Sequence, residues 1–286
     1  MDQHQHQSPA PQTLRIHHHA GFYTVCLHRP EARNAMNQTL IHELTTFFSD
    51  LSRDAGRVRA VIVRGTGPVF CAGADLKDMA HARTNQDTHR AMYSFNRAFG
   101  TLLLSVQACP AVVIAAVHGA ALGGGFGLMC AADIAVVTAD ASVGMPETRL
   151  GLPPAQIAPF VVQRIGLTRA KTLALLGQRL SGSEAHALGL VDKVAPTPEQ
   201  LDVMIQTICA DITRCAPHAN AATKALLHSS ASGVSEALLD QAAHTFASAA
   251  CGPEGQEGNA AFLEKRPPVW SQSLEILNKN NPTTKN

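Results

Sequence analysis

"ALGGGFGLMCAAD" (Ala121 to Asp133) places three consecutive glycines, and a fourth two residues later, inside a long and almost uncharged segment. Glycine loses more backbone entropy on folding than any other residue and costs a helix about 1 kcal/mol relative to alanine. Four of them in a core segment imply that the bare backbone has a task. The flanks identify the elements. "VVIAAV" (112–117) is an apolar, β-branched run and 133–138 is another, so the segment reads as buried strand, glycine turn, buried helix, buried strand. A helix that opens on bare backbone offers unpaired N–H groups to an anion or to a developing oxyanion.

Competing readings fail on particular residues. A dinucleotide turn needs G-x-G-x-x-G, and after Gly123 and Gly125 the third position is Leu128. A nucleophile elbow needs G-x-S-x-G, which is absent, and "GQRLSGS" (177–183) has P-loop spacing without the lysine. A membrane span is long enough in 108–139, but Pro110 opens it and the glycines break its middle. Consecutive His17, His18 and His19 lie on a predicted strand, where neighbours point to opposite faces, so they close no metal site by themselves.

Working outward, "RIHHHAGFYTVCLHRP" reads as two strands about Ala20-Gly21, and Asn37 caps a helix through Leu51. "VRAVIVRG" (58–65) is an apolar strand and 81–104 has helical spacing. Helical patterns follow at 156–165, 169–176, 183–188, 199–215, 218–229, 235–250 and 255–264, with a strand in 189–195. Alternating strands and helices predict an α/β core with mainly parallel pairing. No internal repeat is visible. The expected organisation is a disordered leader (1–12), a core (13–198), a helical region (199–266) and a polar tail (267–286). With 45% hydrophobic and 16% charged residues the chain builds a large core, and a net charge of +1 gives no reason to expect nucleic acid or an anionic membrane as partner. Seven cysteines with no CxxC pair read as buried thiols in a reducing compartment, and the N-terminus lacks the basic and apolar regions of a signal peptide, so a cytoplasmic location is expected.

A second turn matters. "GTGPVFCAGADLKDM" (65–79) follows the strand 58–65 and repeats the pattern: Ala-Gly-Ala, free backbone N–H groups, then a basic residue, Lys77. Two backbone donors from two strand ends suit the oxyanion of a thioester. The ordered set "HRPEARNAMN", "GPVFCAGADLKDM", "HGAALGGGFGL", "MPETRLGL" and "NAAFLEKR" resembles the enoyl-CoA hydratase/isomerase (crotonase) superfamily from about Thr13 to Arg266. The resemblance implies a spiral of ββα units, a helical C-terminal trimerisation region, a trimer or dimer of trimers, and an acyl-CoA substrate with no separate cofactor or metal. It assigns the oxyanion hole to the N–H groups of Ala74 and Gly124. CoA and substrate contacts fall on Arg33, Ala35, Ala72, Asp75, Leu76 and Lys77, and on Phe262 and Lys265, which often serve a neighbouring subunit.

The chain departs from the two-glutamate hydratase pattern. The first glutamate position, three residues after Gly124, is Gly127; the second is Glu147. One acid/base carboxylate is therefore expected, with Gly127 opening room for a C3 substituent and Gln156 a candidate donor to a distal carboxylate. "RLGLPPAQIAPFVVQRIG" (149–166) is similar to the branch holding isohexenylglutaconyl- and bacterial methylglutaconyl-CoA hydratases, so a hydratase of 3-branched glutaconyl-CoA esters is expected. A Δ3-Δ2 enoyl-CoA isomerase needs one base and is the alternative. A 3-hydroxyacyl-CoA hydrolase would want an acid where Ala155 stands. A non-catalytic binding protein of this fold would not need both oxyanion motifs.

Overall fold

A computed structural model describes residues 10–271 apart from 53–55, 57, 84–86 and 232. The leader up to residue 9 and the tail from 272 lie outside the described residues. Six strands form the main sheet: β1 (Leu14–His19), β2 (Phe22–Leu27), β3 (Ala60–Gly65), β4 (Val112–Val117), β6 (Ile134–Thr138) and β9 (Lys193–Ala195), in that spatial order. β1 and β2 are an antiparallel hairpin and every other pairing is parallel. A second sheet has three short strands, β5 (Ala120–Leu122), β7 (Ser142–Gly144) and β8 (Arg179–Ser181).

Alternation within the strands explains the layering. On β3 and β4 the residues Val61, Val63, Val113, Ala115 and Val117 join one core with α1 (Gln38–Leu51), α3 (Thr88–Gln107) and α4 (Gly124–Ala131). Their neighbours Ala60, Ile62, Ile114 and Ala116 face the other side, where Leu201, Ile205, Ile208 and Ile212 of α7 (Pro198–Thr213) cover them. Both faces are buried, so these strands are continuously apolar.

The repeat that the sequence hides appears in space. β4, β5 and α4 follow one another, as do β6, β7 and α5 (Ala158–Leu175). β3 leads through the bridges Cys71–Ala121 and Met36–Ala74 into α2 (Leu76–Arg83). Each turn is strand, short strand, helix. The single helix expected over 81–104 is instead α2 and α3, the latter capped by the Asp87 side chain on the Arg90 N–H. The two helices read from 156–176 follow one another across a kink at Gly166, whose φ of 74° and ψ of 162° are not helical. From α6 (Gly182–Ala187) and α7 the chain passes to α8 (Pro217–Ser230), α9 (Glu236–Cys251) and α10 (Pro253–Leu263). Neither α8 nor α9 has a buried residue. The apolar segment 108–139 is cut into β4, β5, the eight-residue α4 and β6. Among the described residues no helix is long and apolar enough to cross a membrane.

Candidate active site

Two glycine turns meet. Gly123 has φ 50° and ψ −117°, and Gly73 has φ 111°, backbone that side chains rarely permit. They also touch: a Cβ on Gly123 would lie 3.6 Å from the Gly73 Cα. This contact brings the following residues, Ala74 and Gly124, to one place. Met36 donates to the Gly73 carbonyl (2.8 Å) and Asp75 donates to the Met36 carbonyl (3.0 Å). In that parallel bridge the N–H of Ala74, between them, points away from Met36. Gly124 is the first residue of α4, so its N–H is among the four that a helix leaves unpaired. Ala74, Gly124 and Glu147 line a single cavity of about 590 Å³.

Glu147 sits in a tight turn, Pro146–Leu150, that follows β7. The turn is pinned by Thr148, whose hydroxyl donates to the Ala174 carbonyl (2.9 Å), and closed by Gly151. The carboxylate lies against the glycine turn, with Oε1 2.9 Å from where a Gly123 Cβ would stand. Oε2 is buried and, among the described residues, has no hydrogen-bond partner. Burial raises the Glu147 pKa, opposed only in part by its own backbone N–H. This is a desolvated carboxyl in the cavity wall, of the kind that can act as acid or base.

The rest of the wall is mostly apolar: Met36, Ile41, Met79, Met92, Phe95, Phe99, Leu152, Pro153, Pro154 and Ile157. Its polar members are His89, Tyr93, Asn96 and Gln156. Sequence reading missed the α3 contribution, yet its signal was present. Positions 92, 95 and 99 are apolar and 89, 93 and 96 polar, two adjacent stripes on one helix face.

Gln156 lines the cavity as expected of a pocket residue. Gly127 does not open room there. A Cβ on it would meet Ile157 Cγ1 at 3.0 Å and Phe99 Cε1 at 3.4 Å, so aliphatic and aromatic carbon crowd the first atom of any side chain there. Asp75 makes a structural pair. Its buried carboxylate takes Arg29 Nη2 at 2.9 Å and the Lys77 N–H at 3.0 Å, starting α2. Burial disfavours its charge, but the Arg29 hydrogen bond and charge, with the Lys77 and Asp78 N–H groups, hold the carboxyl below its ordinary value.

Arg33, Ala35 and Ala72 form one seam, because the Ala72 N–H donates to the Arg33 carbonyl at 3.0 Å. Buried Asn34, which the sequence did not single out, locks the seam by donating to the carbonyls of Thr66 (2.8 Å) and Val69 (2.9 Å). Leu76 and Lys77 stand exposed just past Ala74. Phe262 and Lys265, at the end of α10, are exposed and do not line the cavity. His118 bonds the Gly67 carbonyl (2.9 Å). Asp133 accepts from the Val113 N–H (2.7 Å) and pairs with Lys224 (2.7 Å), so both serve the scaffold. Among the described residues no group of three or more His, Cys, Asp or Glu is placed to hold a metal ion. All seven cysteines are free; Cys71, Cys109 and Cys130 are buried as expected, whereas Cys215 and Cys251 are exposed.

Two turns that present backbone donors beside a desolvated glutamate are suited to the enolate of a thioester. The enoyl-CoA hydratase/isomerase family model matches residues 17–273, and the chain belongs to that family. A probable enoyl-CoA hydratase of Rhodobacter capsulatus is 33% identical over 260 residues, covering 91% of this chain and 98% of its own. Among solved structures, Pseudomonas aeruginosa AtuE is 49% identical with a TM-score of 0.87, covering 91% of this chain and 100% of its own. An enoyl-CoA hydratase/isomerase from Marinobacter aquaeolei is 47% identical with a TM-score of 0.87, covering 91% and 99%. The fold is therefore the crotonase fold, and the activity is of the hydratase/isomerase type on CoA esters.

Proposed function

We propose that this enzyme adds water to the double bond of a 3-branched glutaconyl-CoA ester, with isohexenylglutaconyl-CoA of acyclic terpene breakdown the favoured substrate. The carrying observation is the lone carboxylate: among the described residues Glu147 is the only acidic side chain lining a cavity of about 590 Å³ whose walls are chiefly apolar. That room suits a branched acyl group better than a crotonyl one. The Ala74 and Gly124 N–H groups take the thioester oxygen as charge moves onto it, and Glu147 moves the proton at C2. Hydration at a trisubstituted C3 yields a tertiary alcohol, and positive charge developing there is supported by the substituents, so one carboxylate suffices. The coenzyme A belongs to the substrate, and the reaction needs no metal or further cofactor. A Δ3-Δ2 isomerase remains the second reading, favoured by the same single carboxylate.

The deciding experiment is a panel of isohexenylglutaconyl-, 3-methylglutaconyl-, crotonyl- and 3-enoyl-CoA followed by mass. A gain of one water on the branched esters, with crotonyl-CoA poor, is expected. Double-bond migration of the 3-enoyl ester with no water gained on any would assign the isomerase.

The reading includes a trimer-based assembly, a cytoplasmic hexamer. Exposed Leu227, Leu239, Phe246 and Phe262 on α8, α9 and α10 support it, since such apolar faces favour burial against another subunit. Phe262 and Lys265 would then contact a neighbour's CoA. Sedimentation at micromolar concentration should show three or six copies; a monomer would refute assembly.

A further inference from the structure

We propose that the Gln156 carboxamide holds the attacking water, orienting it where the cavity has no second carboxylate. This rests on the hydratase reading. Addition forms an O–C3 bond and a C2–H bond as the C2–C3 π bond and one O–H bond of the water break, so the water must be aimed at C3 while Glu147 delivers a proton to C2 and takes one back from the water. Aim requires a second hydrogen-bonding group besides Glu147.

The α3 helix supplies a seat for one. Gly100 lies deep within its 20 residues, where glycine costs about 1 kcal/mol relative to alanine. The bare face is occupied: a Cβ on Gly100 would lie 1.9 Å from Gln156 Oε1 and 2.7 Å from its Cδ. The glycine is the notch that seats the amide. That notch adjoins the place of the absent side chain at Gly127, because the two residues closing over Gly127 are Phe99 and Ile157, the chain neighbours of Gly100 and Gln156. Gln156 is half-buried and lines the cavity shared with Ala74, Gly124 and Glu147. A neutral amide both donates and accepts, so it holds a water without adding charge beside the enolate.

The test uses Gly100→Ala and Gln156→Leu in the full-length enzyme and reads two reactions. One is hydration of the best ester of the panel. The other is exchange of the C2 proton of the saturated acyl-CoA in D2O, which needs Glu147 and the oxyanion donors but no attacking water. Each variant should lose about 10²-fold in hydration kcat. KM should stay within about twofold and C2 exchange within about threefold of the parent, the pattern of an interaction made in the transition state. Gly100→Ala, with the better helix former, should melt no lower than the parent. Unchanged hydration, or hydration and exchange falling in parallel, overturns the proposal. A parent enzyme that hydrates no ester overturns the hydratase reading and this proposal with it.

Discussion

Glu147→Gln should make the enzyme worse and the protein firmer at once. Among the described residues Oε2 is buried without a partner, and burial has raised the carboxyl's pKa, so the folded state carries the charge at a cost. An unsatisfied buried polar group costs about 1–3 kcal/mol. Glutamine keeps the size and drops the charge but leaves a polar atom, so recovery of about 1 kcal/mol at neutral pH is expected. For chains of this order that is about 2–4 °C in melting temperature. The folded carboxyl binds its proton more tightly than the unfolded one, so wild-type stability improves as pH falls. The variant's advantage is therefore full above the folded pKa and closes as pH falls toward the unfolded value of about 4.3. Turnover should drop by about 10²–10⁴ as the proton carrier is lost, while CoA-ester binding survives. Melts of both proteins from acid to mildly alkaline pH, with matched rates, give the answer. A variant less stable than the parent at alkaline pH, or a difference that ignores pH, would refute the desolvated-carboxylate account. Retained turnover would refute its role.

Gly124→Pro removes the N–H assigned to the oxyanion at a first-turn position that tolerates proline, and should cost at least about 10² in turnover. Gly124→Ala is the control, adding a Cβ 3.2 Å from Met36 Cγ while keeping the donor, so its loss should be much smaller; equal losses would point to crowding instead. Asp75→Asn leaves the Arg29 guanidinium half-paired and should destabilise by about 3 kcal/mol. Because the folded Asp75 pKa lies below its unfolded value, that stabilisation is present above the unfolded value of about 3.9 and fades as pH falls through the folded pKa. Denaturant melts at neutral and acid pH check this, and a gap that persists in acid would contradict the pairing.

Long-period signals survived reading from the chain alone, and contacts distant in sequence did not. β4 was legible because six apolar residues in "VVIAAV" leave no other cheap burial, and the α5 break was legible because Gly166 interrupts two helical patterns. β5, β7 and β8 have three residues each, too few for alternation to register, so the second sheet stayed hidden and the ββα repeat was legible only through the family resemblance. The positions of Ala74, Gly124 and Glu147 around one cavity were anticipated from the order of motifs. The pairing of Asp75 with Arg29 was not legible, because Arg29 belongs to a different turn of the spiral. Gly127 was misjudged because removal of a side chain creates room only if nothing moves in, and Phe99 and Ile157 have done so.

The contact between Gly73 and Gly123 has a consequence for how such an enzyme diversifies. On the proposed mechanism the groups given the enolate's charge are main-chain atoms, held by turns that require the lack of a side chain. Point substitution at Ala74 leaves its N–H in place, so the electrophilic half of the chemistry resists most missense change. The opposing wall is built differently, from replaceable side chains on α3 and the 152–157 segment. Acceptance of a new acyl group can therefore be acquired one residue at a time on one wall, without dismantling the apparatus on the other.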